Sequence, residues 1–288
     1  LFAIFPMNIN SISTIDPDFP SRLRHIPSAP HELFYRGKLP DPARKSVAII
    51  GTRKPTRYGT EVTLALAERL AERGVVIISG LALGVDAMAH EGALKARGLT
   101  VAVLAGGVDD PSPRTNYQLA EQILEQGGAI LSEYAAGVIP YKDQFLARNR
   151  LVSGLSDAII VTEASIRSGT SNTVSHALQQ GRDVYAVPGS ITSPMSAGCN
   201  HLIAQGAQPI VSIEAFVDQF IPRDDPQLTI FAYNEAEQQI IDLLKSGIRE
   251  GDELQAQSQL EAGLFAQTMT MLELRGAIKP LGANQWSL

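Results

Sequence analysis

From residue 46 onward, short apolar runs rich in β-branched residues alternate with stretches where apolar side chains recur every three or four positions. The runs fall at residues 47–50, 75–79, 100–104, 129–132, 158–162 and 183–187. Each is apolar with scarcely a polar break, the pattern of a strand buried on both faces. The intervening segments carry helical periodicity at about 59–73, 85–97, 115–127, 144–155, 170–180 and 197–205. A short strand at 209–212 and a helix ending near Phe220 close the pattern. Strands separated by helical crossovers predict an α/β, Rossmann-like, doubly wound and mainly parallel sheet.

The flanks read differently. Residues 1–45 are rich in proline and polar residues with short apolar islands, and predict an extended lead-in with one short helix. The sheet domain is expected over 46–222, and the RDDPQ stretch marks a linker at 223–229. In the remaining region, 230–288, an amphipathic helix is predicted at 234–245, two more at 252–260 and 264–274, and a hairpin from 277–278 and 285–288 around Gly282. Three helices and a hairpin make a winged-helix pattern.

Charge refines this division. The net charge of −6 argues against a nucleic-acid binder when taken over the whole chain. The acidity is local, however: residues 224–288 hold ten acidic and four basic side chains, whereas the residues before them hold twenty of each. Basic clusters in the body therefore remain open. Cys199 is the sole cysteine, which excludes an internal disulfide and a cysteine-based zinc site and fits a reducing cytoplasm. No apolar run approaches the ~20 residues that span a bilayer. Leu1 to Pro6 lack the basic flank and cleavage site of a signal peptide, leaving Met7 as an expected start.

In an open parallel sheet, ligands bind beyond the carboxyl ends of the strands, at the switch in strand order. Four loops fall there. In GTRKPTRYG, Gly51 allows a tight turn, Arg53, Lys54 and Arg57 add charge, and the next helix N-terminus suits a phosphate. A solvated basic loop fits the same residues. In GLALGVD, Asp86 reads as a helix-capping acid, and His90, one turn later, as structural for want of a third metal ligand. In YKDQFLARNRL, Lys142, Arg148 and Arg150 cluster around Phe145 and Asn149, the cation-plus-aromatic mixture of a single-strand groove. An amphipathic helix start fits equally, with Leu146 and Leu151 facing the core. In EASIRSGTSNT, Ser168, Gly169 and Thr170 offer hydroxyls and N–H groups to an anion, or an ordinary serine cap. No nucleophile elbow, HExxH or cysteine–histidine pair occurs.

The segments VAIIGTRKPTRYG, IISGLALGVDAMAHEGAL, FLARNRLVSGLSDAIIVTEA, RSGT and GRDVYAVPG, in this order and spacing, resemble the DprA/Smf family, and HELFYRGKLP resembles the segment preceding its core. The resemblance implies a cytoplasmic, non-catalytic homodimer without cofactor or metal. Such a protein holds single-stranded DNA and hands it to the RecA recombinase in natural transformation. Carried over by position, it implies DNA contacts at Gly51, Arg53, Lys54, Lys142, Phe145, Arg148, Asn149, Ser168, Gly169 and Thr170. This chain has Leu83 where many relatives have arginine, and RSGTSNT where they often read RSGSLIT. The presumed recognition helix at 264–274 has no lysine or arginine, so the winged helix is expected to contact protein or simply to pack. A competing expectation is an enzyme or sensor for a free nucleotide, like the Rossmann-like nucleoside-monophosphate phosphoribohydrolases. Those resemble a PGGxGTxxE pattern, and no glutamate follows RSGTSNT.

Overall fold

The computed structural model describes residues 8–222, 234–275, 277–282 and 284–287. In chain order the first part forms β1 (Asn10–Ser13), α1 (Ser21–Arg24), β2 (Glu32–Gly37), β3 (Ser46–Ile50), α2 (Arg57–Glu72), β4 (Val76–Ser79), α3 (Val85–Lys95), β5 (Thr100–Leu104), α4 (Tyr117–Glu125), β6 (Ala129–Ser132), α5 (Lys142–Gly154), β7 (Ala158–Val161), α6 (Thr170–Gln179), β8 (Asp183–Ala186), α7 (Ala197–Ala204), β9 (Gln208–Pro209) and α8 (Ile213–Phe220). Every residue of β3, β4, β5, β6 and β7 is buried, which is why these runs are apolar throughout. Alternate strand residues feed two cores, one on each face: Ala48, Ile78 and Val103 on one, Val47, Ile49 and Ile77 on the other.

The sheet order is β1-β2-β6-β5-β4-β3-β7-β8-β9. From β6 to β9 the pairings are parallel. Strand order reverses between β3 and β7, so the switch point lies where the loops leaving these two strands face each other. The lead-in does more than precede the body. Strand β2 pairs antiparallel with β6, and β1 with β2, while Phe19, Leu23 and Leu33 enter the core. The last strand is shorter than its apolar run. The Ile210 N–H still bonds Ala186 O, but the Ser212 side chain accepts from the Ala215 N–H at 3.3 Å, making it the cap of α8.

The chain divides into two compact units, Leu1–Ile221 and Pro222–Leu288. The second holds α9 (Glu235–Lys245), α10 (Gly251–Ser258), α11 (Ala262–Leu274) and the hairpin β10 (Lys279–Gly282) and β11 (Gln285–Ser287), a winged helix. Ile240, Ile241, Leu254, Met269, Leu272 and Ile278 form its own core. The expected linker at 223–229, the expected start at Met7 and the hairpin's last residue, Leu288, lie outside the described residues. Among those described, no helix is long and apolar enough to cross a membrane.

Candidate nucleic-acid interface

The β3 and β7 loops are locked together by a buried carboxylate. Glu163 follows β7 and is 2% exposed. It accepts the Thr56 N–H at 2.7 Å and the Thr56 hydroxyl at 2.6 Å. The Thr56 Oγ1 in turn accepts the Gly59 N–H, capping α2. This corrects the expectation that the α2 N-terminus is open to phosphate: the protein's own carboxylate already lies there. Gly51 is required by proximity, since a Cβ would lie 2.6 Å from Glu163 O. What this loop offers a ligand is the exposed side chains of Arg53 and Lys54.

Beyond β4, Gly80 is held from two directions. Its N–H donates to Asp86 Oδ2 at 3.0 Å, and its carbonyl accepts Arg148 Nη1 at 2.7 Å. Arg148 also donates to Val103 O, and Asp86 accepts the Ala82 N–H at 3.4 Å. Burial pushes the Asp86 carboxyl up, against the pull of Arg148 and these N–H groups. Burial likewise pushes Arg148 down, opposed by Asp86 and reinforced by Arg53. Each buried charge is tolerated because backbone groups hydrogen-bond it and the opposite charge offsets part of its burial. Arg148 is 6% exposed, so its guanidinium is turned inward to brace the cleft floor rather than outward as a surface cation. His90 is buried and packs its Nδ1 2.6 Å from Thr100 Oγ1, a structural position as expected from its isolation.

Helix α5 presents the next group. Tyr141 precedes it, with its N–H bonded to Gln144 Oε1 at 2.9 Å. Lys142 is exposed and Phe145 half-buried. Leu151 enters the core, but Leu146 is 41% exposed, contrary to the core-facing expectation, because it lies on the cleft side of the helix. The Asn149 amide donates to Asn172 Oδ1 at 3.0 Å, tying α5 to the first turn of α6. Arg150 leaves the cluster: its Nη2 bonds both Glu133 oxygens at 2.7 Å.

No side chain caps α6, so the expected serine cap is not formed, and space is open where a Gly169 Cβ would stand. Its N-terminal turn retains the positive end of the helix dipole, facing a cleft. That cleft, of about 350 Å³, is lined by Gly51, Arg53, Phe145, Arg148, Asn149, Ser168, Gly169 and Thr170, together with Arg167 and Asp86. A second cleft of about 480 Å³ shares Arg53, Gly80, Ala82, Phe145 and Leu146 with it, and adds Lys142, Leu83 and Pro113. The two form one continuous groove. Of the ten expected residues, Lys54 alone lines neither part. Sequence reasoning did not single out Arg167, although it stands beside Ser168 in the RSGT motif, nor Glu163, whose partner Thr56 is distant in sequence. Leu83 makes the outer groove apolar at a position where charge was in question.

The chain matches the family model for DNA recombination-mediator protein A over residues 10–221 and that for the DprA winged helix domain over residues 224–284. It is 39% identical over 230 residues to the DNA processing protein DprA of Bacillus subtilis, covering 80% of this chain and 77% of that one. A putative DNA processing protein DprA of Mycobacterium tuberculosis is 38% identical over 266 residues, covering 89% and 68%. The X-ray structure of DNA processing protein A from Streptococcus pneumoniae superposes with a TM-score of 0.68 at 38% identity, covering 74% of this chain and 75% of that one. The structure of Helicobacter pylori DNA processing protein A, which concerns that protein's single-stranded DNA binding mode, superposes with a TM-score of 0.66 at 34% identity, covering 74% and 96%.

Proposed function

Because the chain belongs to the DprA family, we propose that its strand-end groove binds single-stranded DNA without sequence preference. The observation that carries this is the convergence of three loops and α5 on one groove. Arg53, Lys142 and Arg167 line it, the uncapped α6 N-terminus opens into it, and Phe145 lines both of its parts. Cations and N–H groups suit phosphates, and an aromatic ring suits any base. The single-strand binding named for the Helicobacter pylori relative supports the same reading. Direct contacts are assigned to Gly51, Arg53, Lys142, Phe145, Asn149, Ser168, Gly169 and Thr170, with Lys54 adding charge at the rim. Arg148 positions the floor beneath them.

The protein acts as a cytoplasmic, non-catalytic homodimer that passes the strand to RecA recombinase; the family's description as a recombination mediator supports the recombination role alone. The sheet unit, residues 8–222, carries DNA, and the winged helix at 230–288 meets protein. The nucleotide-hydrolase alternative is disfavoured by the carboxylate that lines the groove: Asp86 is buried and held by two backbone N–H groups, so it is poorly placed for acid–base work.

Titration of oligo-dT against the parent, Arg53→Ala and Lys142→Ala proteins tests the assignment. Each substitution is expected to weaken binding and flatten its salt dependence by about one phosphate contact. Unchanged affinity in both variants contradicts it. Release of free base from a nucleoside monophosphate would favour the enzyme instead. Faster RecA assembly on a strand coated with single-strand-binding protein, and a dimer by sedimentation, test the two partner assignments.

A further inference from the structure

The ribbon joining β6 to α5, residues 133–141, carries apolar side chains to which the groove as described gives no task. Ile139 is 83% and Tyr141 62% exposed. Single exposed apolar residues are ordinary on a protein surface. These two are distinguished by the bracing of the ribbon that holds them out. The Gly107 N–H donates to Val138 O at 2.9 Å, and the Gly137 N–H to the two Asp109 oxygens at 3.0 and 2.9 Å. The Tyr141 N–H is fixed by Gln144. Gly106 lets the ribbon close onto β5, since a Cβ there would lie 2.7 Å from both Pro140 Cδ and Val138 O. The ribbon ends at Tyr141, immediately before Lys142, which lines the outer groove.

We propose that Tyr141, flanked by Ile139, is a base-stacking platform for the strand where it leaves the groove past Lys142. The proposal rests on the single-stranded DNA reading above and extends its footprint. A phosphate held at Lys142 brings the attached base beside the Tyr141 ring. Every base has a π-face, so a platform of this kind adds affinity without adding sequence preference. Bracing matters because a backbone already fixed in place has little conformational freedom left to lose when a base lands on the ring it carries.

The test compares two fluorescent probes of equal length, oligo-dT and a strand of abasic deoxyribose phosphates, with the full chain. Tyr141→Ala is expected to lower affinity for oligo-dT about fivefold or more. It should leave affinity for the abasic strand unchanged, and Tyr141→Phe should restore the parent behaviour. Equal affinity of the parent and the alanine variant for oligo-dT overturns the proposal. An equal loss on both probes also overturns it, because the role would then concern the backbone or the fold. Normal DNA binding with lost self-association or lost RecA assembly overturns it in favour of a protein contact. If the parent binds neither probe, it is the groove reading itself that fails, and the platform fails with it.

Discussion

Asp86 and Arg148 grip the same residue from opposite sides: Asp86 takes the Gly80 N–H at 3.0 Å and Arg148 the Gly80 carbonyl at 2.7 Å. The groove floor is therefore held by opposite charges bonded to the two peptide groups that flank the Gly80 Cα, and Arg148 differs in kind from the cations around it. Arg148→Ala would strand Asp86 as a buried charge and leave two carbonyls without their donor. It should destabilise the protein by about 3 kcal/mol or more. Arg53→Ala, at an exposed site, should change stability by no more than about 0.5 kcal/mol while weakening DNA binding. Urea denaturation of the two variants, alongside their DNA titrations, checks this separation.

Gly80 itself is constrained by the same clamp. A Cβ would lie 2.6 Å from Cζ, Nη1 and Nη2 of Arg148. Gly80→Ala must push the guanidinium aside, at a cost of about 1–3 kcal/mol. Lower thermal stability together with weaker oligo-dT binding is the expected result, since the residues that line the groove rest on that floor.

A similar economy holds at Glu163. Thr56→Ala removes the α2 cap and one donor to a buried carboxylate, and should cost about 1–2 kcal/mol. Thr56→Ser keeps both bonds and should restore most of that stability in a urea titration.

These clamps mark where sequence reading ends. The strands β3 to β7 were legible because burial on both faces leaves no room for polar residues, so each run declares itself. Strands β1 and β2 were not, since they are short and only partly buried. Gly51, Arg53, Phe145 and Ser168–Thr170 could be placed near the switch point from loop chemistry alone. Arg148 could not be told from its neighbours, because what buries it are the carbonyls of Gly80 and Val103, 68 and 45 residues away. Glu163 was hidden for the same reason, with its partner 107 residues distant. Leu146 was misread because one face of α5 lines a groove rather than the core.

His90 gives the protein a pH dependence. Thr100 Oγ1 donates its proton to Ile77 O at 2.7 Å, so His90 Nδ1 must carry the hydrogen that bonds Thr100. Nε2 is then the bare nitrogen, buried with no hydrogen-bond partner. Burial first, then Arg148, holds the His90 pKa down at about 3 from its usual 6.5. Between those values the unfolded chain binds a proton that the folded one refuses. His90 should therefore contribute a loss of stability as pH drops below about 6.5, of up to about 1.4 kcal/mol per pH unit, set against the opposite contribution of the raised Asp86 carboxyl. Urea titrations between pH 7 and pH 4 check the slope, and His90→Asn should flatten it.

The two units are expected to divide the work. Helix α11 has no lysine or arginine, and Leu264, Met271 and Leu274 are exposed along it. A DNA-reading helix needs phosphate contacts. Removal of residues 224–288 should leave single-strand affinity within about twofold, a change of roughly 0.4 kcal/mol. Anisotropy on the truncated protein checks this, and loss of binding would reassign the winged helix to DNA.

The groove is proposed above all to hold single strands. Its most direct test is a fluorescence anisotropy titration of the intact protein with oligo-dT and with a duplex of the same length, at low and high salt. The groove predicts tight single-strand binding that weakens steeply with salt, little difference between oligo-dT and mixed sequences, and much weaker duplex binding. Duplex binding as tight as single-strand binding, or affinity indifferent to salt, would contradict it.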